Sequence, residues 1–363
     1  MTVDPLGTFR QLSRRARLCV LVGLALMALI LVTGWGLLQQ RTEPPPAGML
    51  EQDEELPAEI PELPADITYG ERQEFIPPMV RIEAETAEEL DTAFSVLDYD
   101  WPVDDSVPAL SVGSFPPLGD LSVDERKDLF FQSLLPLIVA ENQIMLATRE
   151  QIGEIFAEGD VESESREERI LNTLGERFRV EGDVNSPEFR NELLRRVDAV
   201  PLDMALAQAA NESGWGQSRF TREANNLFGV WTWHEERGVV PEQRAAGATH
   251  FVRIFPDLRA SVRNYMYTIN VGDAYADLRA IREELRSQGE PLTGERLAEG
   301  LALYSERGEE YVTEVQAMIR QNDLQEVDDP ELKGVDARRL LDDADEDGAE
   351  DIDVTPDADE ADE

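Results

Sequence analysis

The sequence is poor in the residues that form disulfides and most metal centres. It contains one cysteine, Cys19, and two histidines, His234 and His250, in 363 residues. A single cysteine excludes an intramolecular disulfide, and these two histidines do not have the spacing of a zinc motif. The sequence also has no glycine-rich phosphate loop and no Ser-His-Asp motif. We therefore expect chemistry that uses no metal and no cofactor.

Positive charge is also scarce. The chain has 76 acidic and 33 basic residues, which gives a formal net charge of -43. Such a negative field repels the phosphates of nucleic acids, so the composition argues against a nucleic-acid partner. Acidity of this extent is typical of proteins that work in high salt, where self-repulsion is screened, and of chains with long disordered acidic segments.

One segment near the N-terminus has no charge at all. Residues 18–38 are uncharged, and a helix of this length rises roughly 30 Å, enough to cross the hydrocarbon core of a bilayer. Because four arginines precede it and acids follow it, residues 1–17 are predicted to be cytoplasmic. The segment exceeds the apolar core of a cleaved signal peptide. We therefore expect a single-pass inner-membrane anchor, with the rest of the chain in the periplasm.

Two other segments have compositions that disfavour a packed core. Residues 39–121 are rich in proline and acid, which predicts a disordered, extended periplasmic tether with at most one small ordered patch. At the other end, residues 341–363 contain thirteen Asp or Glu and no Lys or Arg. This composition predicts a disordered acidic tail over residues 325–363.

Residues 122–324 have the periodicity of a mainly α domain with a small β-element. Ser122 and Glu125 have the spacing of a capping box, at the start of a helix that runs to about Glu158. Strand-forming residues cluster at 231–233 and 249–255. Apolar spacing and caps predict further helices at 166–179, 187–197, 201–212, 257–270, 274–286, 293–304 and 309–321.

A glutamate at a predicted helix end is the candidate catalytic group. A helix of small residues ends at Glu212, and Gly214 and Gly216 permit the positive φ that turns the chain. Trp215 would then pack against this break and give the carboxyl an apolar neighbour. Such surroundings favour the protonated form that a glycosidase needs in its general acid. From spacing alone, an ordinary glutamate at a helix C-terminus remains an alternative.

The same residues carry a resemblance to a known family. Glu-Ser-Gly-Trp-Gly-Gln-Ser at 212–218, with Asn-Leu-Phe-Gly at 226–229, resembles the signature of the glucosaminidase family of glycoside hydrolases. Residues 126–138, 247–250, 298–301 and 304–308 resemble its Bax-type members. The resemblance covers roughly residues 122–324. It implies a lysozyme-like fold and an endo-β-N-acetylglucosaminidase that cleaves β-1,4 N-acetylglucosaminyl bonds in peptidoglycan.

The resemblance also implies roles for individual residues. Glu212 would be the general acid, beside a floor and turn formed by residues 226–229. The rings of Phe228, Trp231, Trp233 and Tyr304 would suit stacking on the apolar faces of sugars. Core packing is the alternative for each ring, and it is favoured for Trp215 and Phe228. Trp233 and Tyr304 are expected to line the groove. The full set of predicted substrate-binding residues is Asn226, Phe228, Gly229, Trp233, Tyr304 and Tyr311.

A second catalytic carboxylate is not identified by the sequence. Members of the family often supply it from the β-element, where this chain offers Glu235, Glu236 and Glu242. A separation of roughly 5 Å from the acid would imply retention of configuration, and roughly 6.5–9.5 Å would imply inversion. Two other functions stay open, namely a lytic transglycosylase acting on the same strands and a non-catalytic glycan-binding protein.

Overall fold

The computed structural model describes residues 76–241, 249–305 and 307–340, together with the backbone of 353–356. The predicted membrane anchor at 18–38 lies outside the described residues, as does the candidate carboxylate Glu242.

The described part of the chain is mainly helical, as predicted. Predicted and observed helix ends agree within about two residues, except at 293–304. There, a short α-helix is followed by a 3-10 turn at Ala298–Leu301, in which Gly300 packs so closely on Leu278 that a Cβ would lie 2.3 Å from the Leu278 Cα. The α-helices are α1 (Ala87–Val96), α2 (Val123–Ala157), α3 (Arg166–Arg177), α4 (Pro187–Arg196), α5 (Leu202–Ser213), α6 (Arg219–Ala224), α7 (Leu258–Val271), α8 (Ala276–Gln288), α9 (Gly294–Leu297) and α10 (Glu309–Gln321).

The long helix α2 is a core helix. Its predicted capping box is present, because the Ser122 hydroxyl accepts from the Glu125 amide at 3.3 Å and the Glu125 carboxylate accepts from the Ser122 amide at 2.9 Å. The helix is long and apolar enough to cross a membrane by length and composition. However, 72% of its apolar window is buried inside the protein, which is typical of the central helix of a globular domain.

Three small sheets accompany the helices in the part of the chain that the structure describes. The strands are β1 (Val80–Glu83), β2 (Ser106–Pro108), β3 (Leu110–Val112), β4 (Trp231–Thr232), β5 (Gly238–Val239), β6 (Phe251–Arg253), β7 (Glu331–Lys333) and β8 (Asp353–Pro356). The predicted β-element is confirmed as the antiparallel sheet β4-β6-β5. In the other two sheets, β1 pairs with β3 in parallel and with β8 in antiparallel register, and β2 pairs with β7 in parallel.

The prediction of an extended tether is wrong for residues 76–121. Ile82, Leu90, Phe94 and Leu110 are all 1% exposed or less and belong to the main hydrophobic core. Each apolar stretch in this region is short, but each is buried by packing against parts of the chain that are distant in sequence. The Trp101 ring, for example, lies 4.8 Å from the ring of Phe131 on α2.

The predicted disordered tail is wrong for residues 325–340 and 353–356. Leu332 and Leu340 are buried in the same core as residues 76–121. The strands β7 and β8 each pair with a strand from that N-terminal part of the fold. Backbone pairing and a few buried leucines therefore order these short stretches, although the average composition of the tail is strongly acidic.

The helix α5 lies at the centre of the main core. Almost all of its residues are buried, including Leu206, Ala207, Ala209 and Ala210. Small side chains on several faces of one helix allow neighbouring helices to approach closely. Because α5 ends at Ser213, the core positions the end of this helix, and with it Glu212.

Candidate active site

The chain reverses at the end of α5 in the manner predicted. Gly214, Trp215 and Gly216 all have positive φ, at 58°, 61° and 74°. The Trp215 amide donates to the Ala210 carbonyl at 3.1 Å, and the Gly216 amide donates to the Ser213 hydroxyl at 3.0 Å. Glycine allows this left-handed geometry without a steric penalty, and the turn leaves Glu212 in the last turn of the helix.

Trp215 packs against α2, as favoured from the sequence. Its ring makes edge contacts with Phe130 and Phe131, with centroids 5.8 Å and 5.4 Å away. The Lys127 ammonium lies 5.0 Å from the centre of the indole ring. On the same side, a Cβ on Gly216 would lie 3.2 Å from the Phe115 ring. The turn after Glu212 is therefore enclosed by apolar rings from residues 115–131.

The environment of Glu212 raises the pKa of its carboxyl. The side chain is buried, and burial is the main reason why this pKa increases from its ordinary value of 4.5 to about 7. Hydrogen bonds from Tyr311 and Asn211 and the charge of Arg307 act in the opposite direction, and the charge of Glu314 raises the pKa again. A carboxyl of this kind still holds its proton over much of the range near neutrality.

A chain of buried polar groups leads to Glu212. The Tyr265 hydroxyl donates to Gln208 Oε1 at 2.7 Å, and Gln208 Nε2 donates to the Tyr311 hydroxyl oxygen at 2.9 Å. The Tyr311 hydroxyl in turn interacts with the Glu212 carboxyl and lowers its pKa. Tyr304 stacks on the Tyr311 ring, with centroids 4.9 Å apart. Tyr265, Gln208 and Tyr311 thus form one hydrogen-bonded chain that ends beside Glu212.

Tyr304 and Tyr311 are both buried, and the prediction that Tyr304 lines an open groove is wrong. Tyr304 is 4% exposed, and its hydroxyl donates to the Phe228 carbonyl at 3.3 Å. The ring of Tyr311 on α10 covers one face of the Tyr304 ring, and this contact cannot be read from the local sequence. Tyr311 is fully buried, so it acts on Glu212 from within the protein.

The Asn-Leu-Phe-Gly turn is held by Asn226. The Asn226 amide nitrogen donates to the carbonyls of Val230 and Arg253, each at 2.8 Å, and its oxygen accepts from the Val230 amide at 2.9 Å. These hydrogen bonds fix the turn to β6, and they occupy the amide that was predicted to contact substrate. Phe228 is also buried, stacked at 4.0 Å on Tyr265, which agrees with the core position favoured from the sequence. Gly229, with φ of 68°, is partly exposed.

Exposed groups surround the small sheet. Trp233 is 43% exposed immediately after β4, and its ring is available for stacking on a sugar. Glu235 and Glu236 lie in the following 3-10 turn, both exposed, and the Glu236 carboxylate is 3.5 Å from His234 Nδ1. Trp231 stacks on His250 at 4.0 Å. Within the described ranges, no three His, Cys, Asp or Glu side chains converge as metal ligands would.

Two comparisons with known proteins bear on this site. Residues 188–324 match the family model Glucosaminidase, described as mannosyl-glycoprotein endo-beta-N-acetylglucosaminidase. Over 198 residues the chain is 29% identical to Protein bax of Escherichia coli (strain K12), covering 54% of this chain and 70% of that protein. Residues 188–324 form a glucosaminidase-family domain of the Bax type. No solved structure gives a significant match.

The glucosaminidase domain contains Glu212 and its polar network, but not all of the site. The helix α2 and the rings that enclose Trp215 precede residue 188. The rings that pack on Trp215 in the turn after Glu212 therefore come from outside the family match, and the polar network comes from within it.

Sequence reasoning missed four residues of this network, namely Gln208, Tyr265, Arg307 and Glu314. The Arg307 guanidinium pairs with both oxygens of the Glu314 carboxylate at 2.6 Å, and both charges act on Glu212. One signal was available, because Tyr311 and Glu314 are three residues apart and share a face of α10. For Gln208 and Tyr265, 57 residues apart in sequence, no local pattern indicates the contact.

Proposed function

We propose that this protein is a peptidoglycan hydrolase, an endo-β-N-acetylglucosaminidase in which Glu212 is the general acid. The main support is the position of Glu212 at the buried end of α5, where burial raises its pKa to about 7. A carboxyl that is protonated near neutrality can give its proton to the departing glycosidic oxygen. Membership of the glucosaminidase family supports a glycoside hydrolase acting on a polymer that contains N-acetylglucosamine.

The proton transfer can be followed atom by atom. The Glu212 O–H bond breaks as the proton moves to the glycosidic oxygen, the bond from that oxygen to the anomeric carbon breaks, and the sugar gains oxocarbenium character. Glu212 becomes a carboxylate, which the Tyr311 hydroxyl and the Arg307 charge stabilise. Water then adds to the anomeric carbon and loses one proton, which replaces in the overall balance the proton that Glu212 gave up. Glu235, Glu236 and Glu242 are the candidates to assist this step, and the substrate's own acetamide is the alternative.

Trp233 and Gly229 are the remaining proposed substrate contacts. Trp233 presents an exposed aromatic ring beside the small sheet, and Gly229 is partly exposed in the turn held by Asn226. An aromatic ring of this kind suits the apolar face of a sugar. Asn226, Phe228, Tyr304 and Tyr311 support the site from beneath.

The proposed location follows from the N-terminal sequence. An anchor at 18–38, with arginines on one side and acids on the other, would leave the catalytic domain in the periplasm, where peptidoglycan is accessible. A reporter enzyme that works only in the periplasm should be active when it is fused after Asp328. If a reporter that works only in the cytoplasm were active at this position, the proposed orientation would be wrong.

The decisive experiment compares Glu212→Gln with the wild type on purified sacculi. Glutamine keeps the size of the side chain but has no proton to donate, so we expect cleavage to fall roughly 10²–10⁴-fold with glycan binding retained. Glu290→Gln, at an exposed position after α8, is the matched control. More than about a tenth of wild-type activity in Glu212→Gln would contradict the assignment.

The products of the same digest separate the alternatives. Fragments that have gained a water support hydrolysis, whereas 1,6-anhydro sugars of unchanged mass indicate a lytic transglycosylase. Binding without cleavage by the wild type would indicate a non-catalytic glycan-binding protein.

A further inference from the structure

We propose that Gln208 and Tyr265 are positioning residues that orient the Tyr311 hydroxyl toward Glu212 and so stabilise the carboxylate left when the acid gives up its proton. This inference rests on the proposed function of Glu212. It assigns a role to a buried glutamine and a buried tyrosine, neither of which need touch the substrate.

The directions of the hydrogen bonds carry the argument. Gln208 Nε2 has two N–H groups and no free lone pair, so at 2.9 Å from the Tyr311 oxygen it can only donate. The single hydroxyl proton of Tyr311 is then free to point at Glu212. If the Gln208 amide were turned, Oε1 would face Tyr311 and attract that proton away from the acid.

Tyr265 holds the amide in the productive orientation. Its hydroxyl donates to Gln208 Oε1 at 2.7 Å, and all three side chains are 2% exposed or less. Turning the amide would aim an N–H group at this buried hydroxyl and deprive its proton of its acceptor, and a buried unsatisfied donor is costly. The donor direction therefore runs from Tyr265 through Gln208 to Tyr311, and it leaves the Tyr311 proton for the Glu212 carboxyl with which Tyr311 interacts.

Tyr265 is held in place by Phe228, which belongs to the Asn-Leu-Phe-Gly turn. Its ring stacks on Phe228 with centroids 4.0 Å apart and planes within 8°. The Phe228 carbonyl also accepts from Tyr304, which stacks on Tyr311. The turn at 226–229 thus supports the acid through two buried tyrosines, which gives this motif a physical role besides shaping the groove.

The expected consequence is electrostatic. Negative charge develops on Glu212 as its proton leaves, and donors already aimed at it need no reorganisation at that moment. Other groups around the acid also affect this charge, and they are Asn211 on its own helix, Tyr304, Arg307 and, on α10, Tyr311 and Glu314. Of these, only Tyr311 is held by Gln208 and Tyr265.

The test measures kcat/KM against pH for the full chain acting on purified sacculi. Activity should fall at high pH as Glu212 loses its proton. Without an oriented Tyr311 hydroxyl, the carboxylate is less stable and the pKa of Glu212 rises. In Tyr265→Phe and Gln208→Met, we expect the descending limb to move up by roughly half to one pH unit and the maximum of kcat/KM to fall roughly three- to tenfold.

Tyr267→Phe is the matched control. It removes a hydroxyl from the same helix, one that donates to the Arg177 carbonyl at 2.8 Å. That variant should keep the wild-type limb. A purely structural defect in a test variant would reduce the amount of active enzyme without moving the descending limb of the pH profile. If Gln208→Met does not fold, Tyr265→Phe still provides the test.

The outcomes separate this inference from the function on which it rests. An unmoved limb in Tyr265→Phe, with Glu212→Gln inactive, would overturn the positioning role alone. Normal activity in Glu212→Gln would instead overturn the proposed function.

Discussion

Glu212 should reduce the stability of the folded protein at neutral pH, so Glu212→Gln should increase it. Burial raises the pKa of this carboxyl from 4.5 to about 7. Between these values the unfolded chain loses the proton while the folded chain keeps it, so stability that is fully present below about pH 4.5 is lost as the pH rises to about 7. At about 1.4 kcal/mol per pH unit, the loss is about 3 kcal/mol.

The assay is reversible denaturant unfolding of the wild type and Glu212→Gln from pH 4.5 to 8 at constant ionic strength. Glutamine does not titrate, so every other ionisable group cancels in the comparison. The variant should match the wild type within a constant offset at pH 4.5, and then gain about 3 kcal/mol by pH 8. A difference that does not change with pH would refute the claim that the folded protein holds this carboxyl protonated.

Three further predictions concern a buried ion pair, an exposed aromatic ring and the hydrophobic core. Burial alone would raise the pKa of Glu141, but the charges of Arg263 and Arg259 outweigh burial and lower this pKa to about 2. The stability that this ion pair adds is therefore present above about pH 4.5 and is lost as the pH falls toward 2. Glu141→Gln should therefore lower the free energy of unfolding by about 3–5 kcal/mol at pH 7, by urea titration, and by less at pH 3. Trp233→Ala should raise KM for chito-oligosaccharides several-fold with little change in kcat, and a fall in kcat alone would contradict a binding role. A fragment of residues 122–340 should lack a cooperative thermal transition that a fragment of residues 76–340 retains, because the shorter one loses Ile82, Phe94 and Leu110 from the core.

The features that could be predicted from the sequence have local causes. The end of α5 is set by Gly214 and Gly216, which are close to Glu212 in the chain and permit the positive φ that the turn needs. The start of α2 is set by Ser122 and Glu125, three residues apart. In both cases the side chains that determine the geometry lie within one turn of it.

The features that were missed depend on contacts between distant parts of the chain. Val80 in β1 pairs with Leu110 on one side and Pro356 on the other, so a proline-rich stretch and an acidic one order each other. The burial of Tyr304 depends on Tyr311, whose helix covers one face of its ring. The average composition of such a segment does not indicate which of its short apolar stretches will pack against distant parts of the chain.

The surroundings of Glu212 combine two opposing effects, and the proposed chemistry needs both. Gln208 and Glu212 lie one turn apart on the same face of α5, where the polar chain through Tyr311 supports the carboxylate. Beyond the helix end, Trp215 packs on rings from α2 and encloses the turn in apolar surface. Burial without the polar chain would hold the proton too tightly to release it, and the polar chain without burial would leave the group ionised at neutral pH. Under the proposed function, Glu212 would release and recover a proton in each cycle, with polar support from the family domain and with the turn beside it enclosed by rings of the preceding helix.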